Sequence, residues 1–411
     1  MGGTGGPRGG VGGASLASGG SAGSSVKPGS GGNLGSGGVT NSGGAAGSAR
    51  GGNPGSGGRP PQDQSGGATV TVTGGTMGMP GSCSSPPALE ALVGWASVNS
   101  KGVNGTTGAD ATAFAPIVVT TVAAFKSNAA GTDPRVINVT GTLTGKFTIG
   151  SNKTIAGLCG AELHGTVEMK GSVNVILRNI KIVGYGAGNC ALDPAYDASV
   201  GCSSGNDAVS VLGGHHIWID HCDISDGTDG NLDITKGADF VTVSWTKFHY
   251  SSRTDNSGSD STGASGHRFS NLVGGADNSS IDVNALNITW HHDWWADGVM
   301  ERQPRVRYGK NHIFNNLWAS TGDNYCVRAG MQASLLLENN YFSGVGRPQE
   351  FNSTADQGTA FITATNNVYE STTGTMATGG GGTAFSSPPY PYHLDDPAGL
   401  KAAIMAAAGP R

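Results

Sequence analysis

The stretch DGTDGNLDIT, residues 226–235, holds three acids in eight residues, Asp226, Asp229 and Asp233, with no Lys or Arg among them. Asp229 and Asp233 have the parity to share one face of a strand, although a straight strand would part them by ~13 Å. Gly230 and Asn231 between them are turn residues, and a bend there brings the two carboxylates together. Carboxylates that converge without a basic neighbour repel one another unless a cation joins them. A second group has the opposite sign: Arg253, and Arg302, Arg305 and Arg307 in ERQPRVRYG. Guanidinium groups hold anionic oxygens through paired N–H donors. The two groups together suit an anionic ligand, gripped partly through metal and partly by arginine. Taken singly, each Asp serves equally well as a turn former and each Arg as a solvated flank, so relative position has to decide.

The elements that would position these residues form an internal repeat. Short apolar strands end in related phrases: RNIKI, DHCDI, SWTKF, HHDWW, NNLW, NNYF and NNVY. Residues at or next to their ends, Ile182, Ile224, Phe248, Trp294, Trp318, Phe342 and Tyr369, are 42, 24, 46, 24, 24 and 27 residues apart, one step of about 24 with two insertions. The segments are too short and too rich in Ile, Val, Thr and Trp for helical repeats. Parallel strands recurring at that interval predict a solenoid whose turns stack ~4.8 Å apart around a continuous core, a right-handed parallel β-helix. The Asn pairs 315/316, 339/340 and 366/367 then stack at one corner as an amide ladder. Both ends of such a stack need covers. At the front, TTVAAFKSNAAG reads as a short helix ending in Gly131. At the back, Asp396 as N-cap, Pro397 at the first helical position and Gly409 frame a second.

In this register Asp207 lies 22 and 26 residues before Asp229 and Asp233, either side of one repeat, and belongs one turn below them. Carboxylates ~4.8 Å apart suit a cation with oxygen ligands at 2.3 to 2.6 Å, which is calcium geometry. Arg253 falls 24 residues after Asp229, and Arg302, Arg305 and Arg307 follow after a longer turn.

Composition sets the limits. Of 72 glycines, 25 fall within the first 60 residues, and the first aromatic residue is Trp95. A segment of Gly, Ser, Ala and Asn cannot bury enough apolar surface to offset its conformational entropy, so residues 1–80 read as a disordered linker before a domain at 81–411. Met1 opens no recognisable secretory leader, and no apolar run approaches the ~20 residues of a membrane span. A formal charge of −5 gives no general reason to expect a nucleic-acid partner. The six cysteines have no zinc spacing, which leaves disulfides or buried thiols; Cys190 and Cys202, flanking a polar loop, are the pair expected to bond.

The motifs NDAVSV, IWIDHCDIS, DGNLDI, VTVSWTKF, RQPRVRYGKNHIFNNLW and YCVRAGMQASLLLENNYF, in that order, resemble the pectate lyase family, polysaccharide lyase family 1. The resemblance runs from about Trp95 to the C terminus. It implies a secreted, monomeric β-helical enzyme that cleaves polygalacturonate or pectin by calcium-dependent β-elimination. By position, Asp207, Asp229 and Asp233 correspond to calcium ligands and Arg302 to the base that removes the C5 proton. Arg307 corresponds to a partner of the substrate carboxylate, with Arg305 as a further substrate-binding candidate. Arg253 falls where many members carry a carboxylate-binding Lys. Some members have another calcium Asp where this chain has Gly205, so water, substrate or a loop acid such as Asp197 would take that place. The loop 254–284 matches nothing and has no assigned position.

Arginine as a base requires that it lose its charge, which implies an alkaline optimum. Three other activities compete with this one. A pectin lyase, acting on esterified polymer without calcium, has no need of three acids. A hydrolase needs an acid and a base about the scissile bond, yet the only adjacent carboxylates are Asp395 and Asp396, at a helix cap. A non-catalytic polysaccharide-binding β-helix would have no use for Arg302.

Overall fold

Val, Ile, Leu and Thr in runs of three to six favour extended backbone, and in the computed structural model, which describes residues 84–199, 205–251 and 267–411, such runs form three parallel faces. All described residues fall within the unit Val72–Arg411. One face is a ten-stranded sheet running from Ile117–Val119 to Phe361–Thr365. The other two are arms of a fifteen-stranded sheet that meet at the long strand Glu162–Lys170. Successive turns of chain add one strand to each face, which makes the right-handed parallel β-helix expected from the repeat.

Strand parity separates core from cleft on the arm that carries the acids. Val211, Ile234, Val273, Val306 and Ala329 pair in register from turn to turn and are fully buried. Their neighbours one residue back, Ser210, Asp233, Leu272, Arg305 and Arg328, point the opposite way and line one outward column. A slip of one residue would turn every one of these polar side chains into the core.

On the second arm the repeat is as expected with one correction. Ile182, Ile224 and Phe248 pair in register, but the next residue in the column is Trp295, not Trp294. Trp295 is fully buried, and Trp294 faces outward beneath Lys247, whose Nζ lies 4.8 Å from its ring centre. Both indoles fit the spacing; the pleat admits only one. The column continues as stacked rings, Trp295 to Trp318 at 4.6 Å, Trp318 to Phe342 at 4.3 Å and Phe342 to Tyr369 at 5.3 Å.

The Asn ladder forms through the second residue of each pair. Asn316 Nδ2 donates to Asn340 Oδ1 (3.1 Å) and Asn340 Nδ2 to Asn367 Oδ1 (2.9 Å). The first residues, Asn315, Asn339 and Asn366, take left-handed φ values of 51 to 53° at the corner, which Asn tolerates better than most residues. Asn340→Ala deletes the middle rung and takes the acceptor from the buried Asn316 backbone N–H and the side-chain donor from the Ile313 carbonyl, while half-buried Asn367 keeps the Asn340 N–H. The expected cost is about 3 kcal/mol, read as a lower thermal midpoint.

The front helix, α1, spans Val122–Ala129, with the Thr121 hydroxyl accepting the Ala124 N–H, and drives Phe125 into the core against Phe147. The short helix α2 is Thr354–Gln357 and the C-terminal helix α3 is Pro397–Ala407, N-capped by Asp396 as expected. Helix α3 does not close the back end. Leu400 and Ile404, four residues apart, pack on Leu317, so the helix lies along the side of the second arm. Residues 373–379 meet the last turns instead, through bridges at Thr373, Met376 and Gly379. Among the described residues no helix is long and apolar enough to cross a membrane. Cys190 is disulfide-bonded, while Cys222 and Cys326 are buried thiols. The expected partner Cys202, the linker to residue 80 and Arg253 lie outside the described residues.

Candidate active site

Asp233 sits on the strand Leu232–Thr235, directly above Ser210 of Val209–Leu212. Asp207 precedes that lower strand, and the Ala208 N–H bonds the Gly230 carbonyl (2.9 Å), which sets Asp207 beneath the turn between the other two acids. The turn is held by the Asn206 carbonyl, which accepts from the Thr228 and Asp229 N–H groups. Asp207, Asp229 and Asp233 each present a carboxylate oxygen within 4.8 Å of the others. Gly230 permits this approach. A Cβ there would stand 2.8 Å from Asp233 Oδ1 and 3.1 Å from Asp207 Oδ1.

The three carboxylates differ in surroundings. Asp207 accepts from Ser210 Oγ (2.7 Å), but its buried Oδ1 has no hydrogen-bond partner. Burial, then the charges of Asp233 and Asp229, push its carboxyl well above the usual range. Asp233 accepts the Leu272 N–H (3.0 Å); burial, opposed by Arg302 and reinforced by Asp229, pushes it up to about 7. Asp229, 42% exposed, goes the other way. Burial raises it, but the hydrogen bond from His267 Nε2 (2.8 Å) and the Arg302 charge outweigh that, and the net shift is downward. An unpartnered buried oxygen amid mutually repelling carboxylates is the environment that a hard divalent cation relieves, so these residues fit the expected calcium.

The extra acid of some relatives has no place here. A Cβ at Gly205 would stand 2.3 Å from Asp193 Oδ2 and 2.6 Å from Thr228 Cβ. Asp193, not Asp197, is the loop acid against Gly205, and it is committed to N–H donors: those of Asn206 (2.7 Å) and Ala195 (2.8 Å) and the Asn206 side-chain amide. It fixes the residue next to Asp207. Asp197 turns back on Ser199, accepting its N–H and hydroxyl.

Arg302 lies against the acids, with Nη1 3.5 Å from Asp229 Oδ1 and its guanidinium 4.5 Å from the Phe269 ring centre. Its φ of 56° is left-handed, strain of order 1–2 kcal/mol that nothing about Arg relieves. Burial lowers the pKa of Arg302, but Asp233 and Asp229 more than restore it, so the group keeps its proton while the acids are charged. Arg307 lies between glycines of the turns below and above: a Cβ at Gly274 would stand 2.9 Å from its Cβ, and one at Gly330 3.3 Å from its Cγ. Arg305 donates to Asn352 Oδ1 (3.0 Å), and burial, then the Arg307 charge, lowers its pKa. Arg302 and Arg307 both act on Asp233, whereas Arg305 stands farther along the column beside Arg328. Four residues outside the sequence expectations join the site: His267 and Phe269, and the loop acids Asp193 and Asp277, the last accepting from Arg307 Nε. All but Asp193 come from the unassigned loop 254–284, where no repeat spacing reaches.

Comparison with known proteins identifies the family. The family pattern described as "Pectate lyase" matches residues 68–396, beginning within the segment read as linker. Pectate lyase A of Aspergillus niger is 32% identical over 333 residues, 78% of this chain and 88% of that protein. Pectate lyase E of Dickeya chrysanthemi is 32% identical over 297 residues, 62% of this chain and 68% of that one. A pectate lyase of Bacillus sp. N165, solved in complex with trigalacturonate, shares the fold at a TM-score of 0.60 and 23% identity, over 78% of this chain and 98% of that one. The cedar pollen allergen jun a 1 also shares it, at a TM-score of 0.54 and 18% identity over 72% of this chain and 88% of that one. The fold alone therefore carries no argument about activity. The family pattern takes in every strand of the helix, and the curated relatives are matched over most of their own length, so the chain belongs to the pectate lyase family, polysaccharide lyase family 1, and is a polysaccharide lyase.

Proposed function

We propose that the protein is a calcium-dependent pectate lyase that cleaves α-1,4-linked polygalacturonate by β-elimination and leaves 4,5-unsaturated oligogalacturonides. The observation that carries this reading is the meeting of three carboxylates, one oxygen among them unpartnered, with an arginine 3.5 Å away. Elimination removes the proton on C5, forms the C4–C5 double bond and breaks the C4–O4 bond, with water protonating the departing O4. A calcium ion on Asp207, Asp229 and Asp233 would neutralise the uronate carboxylate, and with it the enolate-like charge of the transition state, while offsetting the carboxylate charge that keeps Arg302 protonated. Arg302, held over Phe269, accepts the C5 proton. Arg307 and Arg305 hold uronate carboxylates along the column, with Arg253 as a further contact. Absorbance near 235 nm during incubation with polygalacturonate, with and without chelator, tests the reading.

The disulfide at Cys190 supports an oxidising, extracellular compartment. We also expect residues 1–80 to be dispensable. A chain starting at Ser82 should fold and keep its specific activity, whereas one starting at Val93 should melt lower. The second deletion removes the Pro87 and Ala88 carbonyls that accept from the buried Arg178 (2.9 and 3.0 Å) and Glu90, which pairs with Arg411 at 2.6 Å. Thermal melts of the two truncations check this, and failure of the Ser82 chain to fold would overturn it.

A further inference from the structure

Two of the three acids depend on one residue between them. Asn206 precedes Asp207 in the chain, and its carbonyl accepts the Thr228 N–H at 3.1 Å and the Asp229 N–H at 3.3 Å. The spacing between Asp207 and Asp229 therefore follows from where Asn206 lies, and Asp193 fixes that place. Asp193 is 4% exposed, and its two oxygens accept the Asn206 N–H (2.7 Å), the Ala195 N–H (2.8 Å) and the Asn206 side-chain amide. A buried carboxylate that receives several N–H donors is a firm anchor, because losing any of them leaves charge without solvent. Gly205 makes room for it, since a Cβ there would stand 2.3 Å from Asp193 Oδ2.

Asp193 is itself tethered. It follows the single helical turn Cys190–Leu192, its N–H donating to the Cys190 carbonyl at 3.0 Å, and its own carbonyl accepts the Tyr196 N–H at 2.9 Å. Cys190 is disulfide-bonded. An unbroken series of contacts runs from that disulfide through Asp193 and Asn206 to Asp207 and Asp229. We propose that Asp193 is a positioning residue that presets these acids for a cation, and that the Cys190 disulfide acts through it, so that cation affinity falls when either is removed. This rests on the calcium reading above and goes beyond it, since affinity then depends on a carboxylate whose oxygens are committed to N–H donors, and on the redox state of a bond outside the site.

Calorimetric titration of the chelator-stripped protein with calcium tests this. In Asp193→Asn the new NH2 group faces an N–H donor whichever way the amide turns, so a grip on Asn206 is lost. Its calcium Kd should rise at least ~10-fold, the scale seen when a residue that orients a metal ligand is removed. The calcium needed for half-maximal release of the 235 nm chromophore should rise with it. Asn206→Ala loses only the side-chain amide and keeps the backbone bonds, so its Kd should rise less, about 3-fold. A dithiol, which passes two electrons and two protons to the disulfide and leaves two thiols and its own cyclic disulfide, should raise the Kd of the unaltered protein, and Cys190→Ser should do so without reductant. In Asp193→Asn the dithiol should add little, because effects carried by one series of contacts are not additive. An unchanged Kd in Asp193→Asn or Asn206→Ala, even with a lower thermal midpoint, would leave Asp193 a packing residue and overturn the proposal. So would a dithiol that changes nothing, or that acts equally with and without the Asp193 carboxylate. If the unaltered protein took up no calcium, the calcium reading would have failed and the proposal with it; uptake with an unchanged Kd in the variants is failure of the proposal alone.

Discussion

Excess chelator is expected to abolish release of the 235 nm chromophore from polygalacturonate, and added calcium to restore it. The basis is electrostatic. Asp207, Asp229 and Asp233 offer oxygens within 4.8 Å of one another, and two of the three are pushed up by burial and by like charge. A polyanionic substrate adds to that repulsion unless a cation lies between. Asp233→Asn should lower turnover at least ~100-fold, the scale of losing a preorganised electrostatic contact. A measurement independent of turnover accompanies it: calcium at ~100 times its dissociation constant should stabilise the chelator-stripped protein by ~2.7 kcal/mol, seen as a higher thermal midpoint. Asp233→Asn should remove most of that gain. Undiminished activity in excess chelator would reject the metal reading and favour a pectin lyase.

Arg302→Lys is expected to lower kcat by ~10²–10⁴-fold with KM nearly constant, the loss associated with a positioned base. Lys keeps a cation on the same turn but moves the accepting nitrogen and loses the planar group that stacks on Phe269. The acids and Arg307 remain, so substrate should still bind. In Arg307→Lys the pattern should invert, with KM rising more than kcat falls. Asp233 and Asp229 hold the Arg302 proton in place, so its role as base depends on their being neutralised, and the rate of the unaltered enzyme should climb into alkaline pH. Initial rates beside equilibrium binding for both variants separate the roles. A variant at position 302 with near-normal kcat would remove arginine from the position of base.

Much of this was legible in the chain itself wherever one turn repeats the last. The spacing of about 24 residues placed the aromatic column and the Asn ladder, because stacked parallel strands turn a sequence interval into a contact. The same arithmetic brought Asp207 to Asp229 and Asp233. The helix cap at Asp396 was legible because capping is local, made within two residues. Neighbouring Trp294 and Trp295 could not be told apart, since spacing counts residues while pleat parity is set by the strands either side. The docking of α3 was equally hidden: Leu400 and Ile404 mark an apolar stripe but say nothing of which surface it covers. His267, Phe269, Asp193 and Asp277 belong to loops between turns, and Leu272 bonds Asp233 across 39 residues, an interval that matches no multiple of the repeat. Composition and period thus determined the helix, its core and the acid cluster. Only the tertiary path decided which loop acid pins the Asp207 turn and which one pairs with Arg307, because loop contacts depend on where the chain returns rather than on how often a pattern recurs.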